Sequence, residues 1–127
     1  MLHGCGSKLD LRKLMSQTNL RTALVTGAGT GVGRACAIRF AQLGFNVVIN
    51  YSRSQAEAEE TARLVEQQGA SSLIIACDVS QEASVQHMIA STQERFGGLD
   101  VLVNNAATTF FIAADDLASL EESHWDR

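Results

Sequence analysis

From residue 21 onward the chain alternates between two hydrophobic periods. Four short runs, TALVT (22–26), NVVIN (46–50), SLIIA (72–76) and DVLVN (100–104), are rich in β-branched residues and nearly continuous in hydrophobicity, as strands covered on both faces are. Three longer segments between them carry helical spacing. Residues 32–43, VGRACAIRFAQL, are apolar on most sides, which fits a buried helix. Residues 55–68 open with Ser54 and Glu57 in capping-box spacing and set Ala58, Ala62 and Val65 on one face, with Gln and Glu on the other. Residues 81–96 follow the cap candidate Ser80 and align Val85, Met88, Ile89, Thr92 and Phe96. Gly44, Gly69, Gly97 and Gly98 fall where these helices should stop. The predicted order is β-α-β-α-β-α-β.

Strands joined by helical crossovers of this length run parallel, and right-handed crossovers wind them into an α/β sheet with helices on both faces. If the first three strands grow in one direction and the fourth pairs on the far side of the first, strand order reverses between the first and fourth. Ligands bind beyond the carboxyl ends of strands at such a reversal, where TGAGTGVG and NNAA stand in this sequence. The same winding puts two helices on one face and one on the other, leaving apolar sheet surface and an open VLV edge. Segment 108–120, TTFFIAADDLASL, is apolar enough to cover part of it. The isolated chain is therefore expected to be marginal, adhesive or dependent on a partner.

Composition narrows the functional classes. The 127 residues are 46% apolar and 19% charged with both signs interspersed, an ordinary globular mixture. A net charge of −4 argues against a nucleic-acid partner, since phosphate backbones are held by clustered Lys and Arg. No apolar run approaches the ~18 residues of a membrane span. Cys5, Cys36 and Cys77 are odd in number and lack CxxC spacing, which suits small core residues in a reducing, cytoplasmic setting. His3 and Cys5 form a lone H-x-C, while His87 and His124 stand apart, so no metal site is assigned. Residues 1–20 read as a flexible N-terminal extension and 21–127 as one domain. Met15 begins a more usual lead-in, MSQTNLRTALVTG, so residues 1–14 are expected to be a leader and Met15 the natural start.

The stretch 26–34, TGAGTGVGR, holds four glycines in nine residues between a strand and a helix. Such a turn gathers unpaired backbone N–H groups and the positive end of a helix dipole at one point, an arrangement that suits a pyrophosphate. The spacing Gly27, Gly31, Gly33 is G-x-x-x-G-x-G, and neither G-x-G-x-x-G nor GK[ST] can be threaded through it. Gly27, Gly29 and Gly31 also spell G-x-G-x-G, a pattern resembling the adenosylmethionine loop of methyltransferases. That family usually ends its first two strands in acids; these end in Thr26 and Asn50.

TGAGTGVGR after the first strand, CDV (77–79) after the third and LVNNAA (102–107) after the fourth together resemble the short-chain dehydrogenase/reductase family, whose pattern is TGxxxGxG, then D-V, then NNAG. The resemblance runs from about residue 21 to the end of the chain. It implies a doubly wound NAD(P)-binding Rossmann fold and hydride transfer between a nicotinamide cofactor and a carbonyl/alcohol substrate, usually in homo-oligomers. Carried over by position, Gly27, Ala28, Gly29, Thr30, Gly31, Val32 and Gly33 would cradle the cofactor phosphates. Asp78 would accept from the adenine amino group beside Val79, and Asn105 with Ala106 would lie along the nicotinamide-side ribose. Asn104 would tie neighbouring strands. Ala107 departs from the family's glycine.

Charge at the end of the second strand distinguishes the cofactors. An acid there binds the ribose hydroxyls of NAD and repels a 2′-phosphate, which Arg with Ser or Thr receives. The run Asn50-Tyr51-Ser52-Arg53 has no acid before Glu57, so NADP(H) is expected over NAD(H), with Ser52 and Arg53 as readers. Enzymes of the resembling family use a Tyr-x-x-x-Lys pair, a Ser and an Asn for catalysis, beyond the fourth strand. Here the one tyrosine is Tyr51 and no lysine follows Lys13, so no catalytic residue is assigned. HWDR at 124–127 resembles the opening of the helix that carries the family's catalytic Asn, and the sequence reads as a cofactor-binding half. Two other readings compete: a non-catalytic nucleotide-binding module and an adenosylmethionine-dependent methyltransferase fragment.

Overall fold

The computed structural model describes residues 20–107, Ala118 and residues 122–124. Its elements are β1 (Thr22–Val25), α1 (Gly31–Gln42), β2 (Asn46–Tyr51), α2 (Gln55–Gln67), β3 (Ser72–Ala76), α3 (Glu82–Phe96) and β4 (Val101–Val103), with a 3₁₀ turn at Glu122–His124. Each predicted strand and helix forms within a residue or two of its expected ends. The N-terminal extension, the covering segment 108–120 apart from Ala118, and most of HWDR lie outside the described residues.

The strands form one parallel sheet in the order β3-β2-β1-β4. Leu24 stands between Val48 of β2 and Leu102 of β4, so strand order reverses between β1 and β4. The start of this junction is pinned by Asp100, whose carboxylate accepts from the Thr22 N–H at 2.8 Å. Its end is pinned by Thr26, whose N–H donates to the Val103 carbonyl at 3.1 Å.

Alternation along the strands sorts the core into two layers. Val25, Val47 and Ile49 face α1 and α2 and pack with Ala37, Ala41, Ala58, Ala62 and Val65. Leu24, Val48 and Ile75 face the other way, against Met88 of α3 with Val85, Ile89 and Phe96 around it. The alanines on α1 and α2 let two helix axes lie close to the sheet and to each other, and each buried branched side chain contributes about 1.5–3 kcal/mol by leaving water. The single-helix face is less well covered: Leu102 is half exposed on β4, which among the described residues pairs with β1 alone.

One local expectation changes. Gln81, in extended backbone, is the residue at the N-terminus of α3 and makes no side-chain cap. Ser80 instead donates from its hydroxyl and its N–H to Asp78 Oδ1, at 2.6 and 2.9 Å, because the chain turns there before entering the helix. Ser54 does cap α2, accepting from the Glu57 N–H.

Candidate nucleotide-binding cleft

The carboxyl ends of all four strands open on one cleft of about 490 Å³. Of the residues expected to bind cofactor, Gly27, Ser52, Arg53, Asp78, Val79, Ala106 and Ala107 line it. Asn50, Cys77 and Ser80 line it as well. Ala28, Gly29, Thr30, Gly31, Val32, Gly33 and Asn105 are not among its walls. They make the turn between β1 and α1 and the brace behind it.

The glycines of that turn serve different ends. At Gly33 a Cβ would meet the Gly27 carbonyl oxygen at 2.3 Å and Asn105 Nδ2 at 2.6 Å, so the close approach is made by the chain itself. Gly27 has φ 61° and a Cβ there would lie 3.0 Å from Ala106 Cα, while Gly31 has φ 57° and open space around it. At Gly31 the demand is conformational, and the open side leaves the backbone approachable. The N–H groups of Gly31, Val32 and Gly33 occupy the first turn of α1, where a helix supplies no carbonyl partner. That turn holds no acidic residue, so nothing in it repels an anion from the helix N-terminus.

Side chains from three other elements hold the turn in shape. Asn50, buried at the end of β2, accepts from the Gly27 N–H at 3.2 Å and donates to the carbonyls of Cys77 at 3.0 Å and Ile75 at 3.4 Å. One amide thereby ties the glycine turn to the end of β3. Thr61 on α2 donates to the Ala28 carbonyl at 2.8 Å. Arg34 on α1 donates to the carbonyls of Gly29 and Glu57 and to the Thr61 hydroxyl. With these carbonyls satisfied, the turn keeps its shape without a ligand.

The β1–β4 junction is fixed in the same manner. Thr26 Oγ1 accepts from the N–H groups of Asn105 and Ala106, both at 2.9 Å, and its proton points to the Val103 carbonyl. Asn105 Nδ2 donates to the carbonyls of Thr26 and Gly27, both at 3.1 Å. The strand-tying amide is therefore that of Asn105, whereas Asn104 is exposed. The family resemblance pointed to the neighbour; the alternation of Leu102 out and Val103 in continues past the strand and leaves Asn104 out and Asn105 in.

Opposite the turn, Ser52 and Arg53 are exposed and lead directly into the Ser54 cap. Asp78 closes the other wall, oriented by Ser80. Burial pushes the neighbouring Cys77 thiol upward, and the Asp78 charge adds to the shift, so this sulfur stays protonated at neutral pH and is a wall rather than a nucleophile. Asn50, Thr61 and Arg34 were not singled out by the sequence. The available signal was polarity out of place: Arg34 in an apolar helix, Thr61 on the alanine face of α2, and Asn50 ending a buried strand.

Comparison with known proteins decides what this arrangement belongs to. A family model described as short chain dehydrogenase matches residues 21–127. The chain belongs to the short-chain dehydrogenase/reductase family. Over 102 residues it is 45% identical to the short-chain dehydrogenase/reductase homolog YusS of Bacillus subtilis, covering 80% of this chain and 94% of that one. It is 39% identical over 106 residues to the 3-oxoacyl-[acyl-carrier-protein] reductase FabG of Staphylococcus aureus, covering 84% of this chain and 42% of the reductase. Acetoin dehydrogenase from Enterobacter cloacae superposes with a TM-score of 0.67 at 34% identity, covering 76% of this chain and 38% of that one. The chain thus spans nearly the whole of one relative and about two fifths of the others. Among the described residues no helix is long and apolar enough to cross a membrane.

Proposed function

We propose that the chain is an NADP(H)-binding unit of a short-chain oxidoreductase, whose complete form transfers hydride between the nicotinamide and a carbonyl/alcohol substrate. The observation that carries the reading is the convergence of Gly27 at the start of the β1 turn, Ser52 and Arg53, Asp78 and Ala106 on one cleft. The residues present fit a dinucleotide: a braced turn with an approachable backbone for the diphosphate, a cation at the end of β2, and a carboxylate on the opposite wall. The bound dinucleotide would supply the hydride chemistry.

In this reading the first-turn amides of α1 receive the diphosphate, Arg53 and Ser52 the 2′-phosphate, and Asp78 the adenine amino group. Ala106 and Ala107 run beside the ribose nearer the nicotinamide, with Asn105 holding that backbone in place. The sequence offers no Tyr-x-x-x-Lys, its tyrosine being Tyr51 and its lysines Lys8 and Lys13, so the 127-residue chain is expected to bind without turnover. The substrate class, a carbonyl/alcohol pair, follows from the family and not from any residue of the cleft.

Thermal melting tests the cofactor assignment, because a ligand that binds only the folded chain raises its midpoint. At equal concentrations NADPH is expected to raise the midpoint more than NADH. Arg53→Ala should cancel the difference by removing a charge-assisted bond worth about 1.5–3 kcal/mol. Equal shifts by both cofactors, unchanged in Arg53→Ala, would contradict the assignment, and a shift with adenosylmethionine alone would favour the methyltransferase reading.

A further inference from the structure

Arg34 makes three hydrogen bonds beside the cleft, yet it is not one of the cleft's walls. It lies one turn into α1, partly buried, and its guanidinium bonds to both the glycine turn and α2. Nη2 donates to the Gly29 carbonyl at 2.6 Å and to the Glu57 carbonyl at 3.0 Å, and Nε donates to Thr61 Oγ1 at 2.9 Å. Gly29 belongs to the glycine turn; Glu57 belongs to the first turn of α2. The two segments are in near contact there, since a Cβ on Gly29 would lie 3.4 Å from Glu57 Cβ. Glu57 is in turn bonded through its N–H to Ser54, the residue that follows Ser52 and Arg53.

A dinucleotide carrying a 2′-phosphate meets this protein at two anionic points, the diphosphate and the 2′-phosphate, at a separation fixed by the ligand. Both are held well only if the protein keeps the glycine turn and the Ser52–Arg53 segment at that separation, and preorganisation of this kind converts directly into affinity. The Arg34 fork is the charged strut between the two segments, set beside the Thr61 hydroxyl, which reaches the Ala28 and Gly29 carbonyls from α2. A guanidinium can bridge two carbonyls in a fixed plane, whereas an ammonium on a flexible stem cannot hold both in one geometry.

We infer that Arg34 is a positioning residue for NADP(H) selectivity: by bridging Gly29 and Glu57 it sets the distance between the diphosphate turn and the 2′-phosphate readers. The inference rests on the assignment of Ser52 and Arg53 made above. NADH, which lacks the 2′-phosphate, depends less on that distance. Losing the strut therefore lowers the preference for NADPH rather than weakening both cofactors in proportion.

The test is titration of the intact 127-residue chain with NADPH and with NADH, for the unsubstituted protein, Arg34→Lys and Arg34→Met. The unsubstituted chain is expected to prefer NADPH. Arg34→Lys keeps the charge and loses the fork, so its NADPH affinity should fall about tenfold or more, the scale of a lost charged hydrogen bond, with a much smaller change for NADH. Arg34→Met should do the same, and if it does not fold the lysine variant decides alone. Should Arg34→Lys weaken both cofactors equally and leave their ratio intact, Arg34 is a stabilising residue only and the inference fails while the assignment of Arg53 stands. If the unsubstituted chain shows no preference, the NADP(H) assignment fails and takes this inference with it.

Discussion

Asn50→Asp is expected to abolish cooperative folding near neutral pH, although the two side chains are almost the same shape. Asn50 is 1% exposed; its amide donates to the carbonyls of Cys77 and Ile75, while its oxygen accepts from the Gly27 N–H. A carboxylate keeps the last of these and turns the other two into repulsive oxygen–oxygen contacts. Stranding a buried charge without a partner costs about 3–5 kcal/mol, a large part of what a domain of this size has to spare. Burial and the facing carbonyls raise the carboxyl pKa in the folded state. The damage is accordingly least at acidic pH, where the protonated acid can still donate one bond, and it grows as pH rises above the ordinary carboxylate range. Circular-dichroism melts between acidic and neutral pH check this. A variant as stable as the parent at neutral pH would show that Asn50 does not brace the turn. The substitution also separates two roles for the end of β2, because an acid at position 50 is buried in the brace and should not create NAD(H) affinity.

Gly33→Ala should be the next most damaging substitution. Its Cβ would lie 2.3 Å from the Gly27 carbonyl oxygen, 2.6 Å from Asn105 Nδ2 and 2.9 Å from Ala28 Cα. Two of those three atoms are backbone, so no rotamer change relieves the clash and the whole β1–α1 turn has to move. Overpacking of this kind costs about 1–3 kcal/mol, and each kcal/mol lowers the midpoint by about 4–8 °C in a domain of this size. Gly31→Ala makes the contrast. There the space is open and only φ 57° is at issue, a penalty of about 1–2 kcal/mol that leaves the packing of the turn intact. Parallel melts of the two variants distinguish the cases: Gly33→Ala is expected to melt lower and to lose NADPH binding even where it is folded. Equal melting of Gly33→Ala and the parent would contradict the packing described here.

The layout of the fold was legible because it depends on period and punctuation. Strands buried on both faces have no polar side, helices between them repeat at three and four, and glycines close them, so the parallel α/β layout follows, whereas the order β3-β2-β1-β4 was an assumed arrangement that the structure bears out. The cleft was legible for the same reason: Gly27, Arg53, Asp78 and Ala106 each follow a strand end, and topology brings strand ends together. What stayed hidden is the brace. Arg34, Thr61 and Asn50 act through backbone carbonyls, and a carbonyl has no letter in the sequence. Whether Asn104 or Asn105 turns inward depends on how far the β4 pleat persists past Val103, which no local pattern states. Ser80 had a plausible partner in the helix that follows it and a nearer one in Asp78, and the nearer one won.

The most direct test of the account is a two-dimensional amide NMR titration of the 127-residue chain with NADPH. It predicts saturable shifts gathered on Gly27 and Gly31 to Gly33, on Ser52 and Arg53, on Asp78 and Val79, and on Ala106, with the amides of the α3 face unmoved. Saturable shifts confined to other surfaces, or none at NADPH concentrations that saturate related reductases, would contradict the claim that these four strand ends form a dinucleotide site.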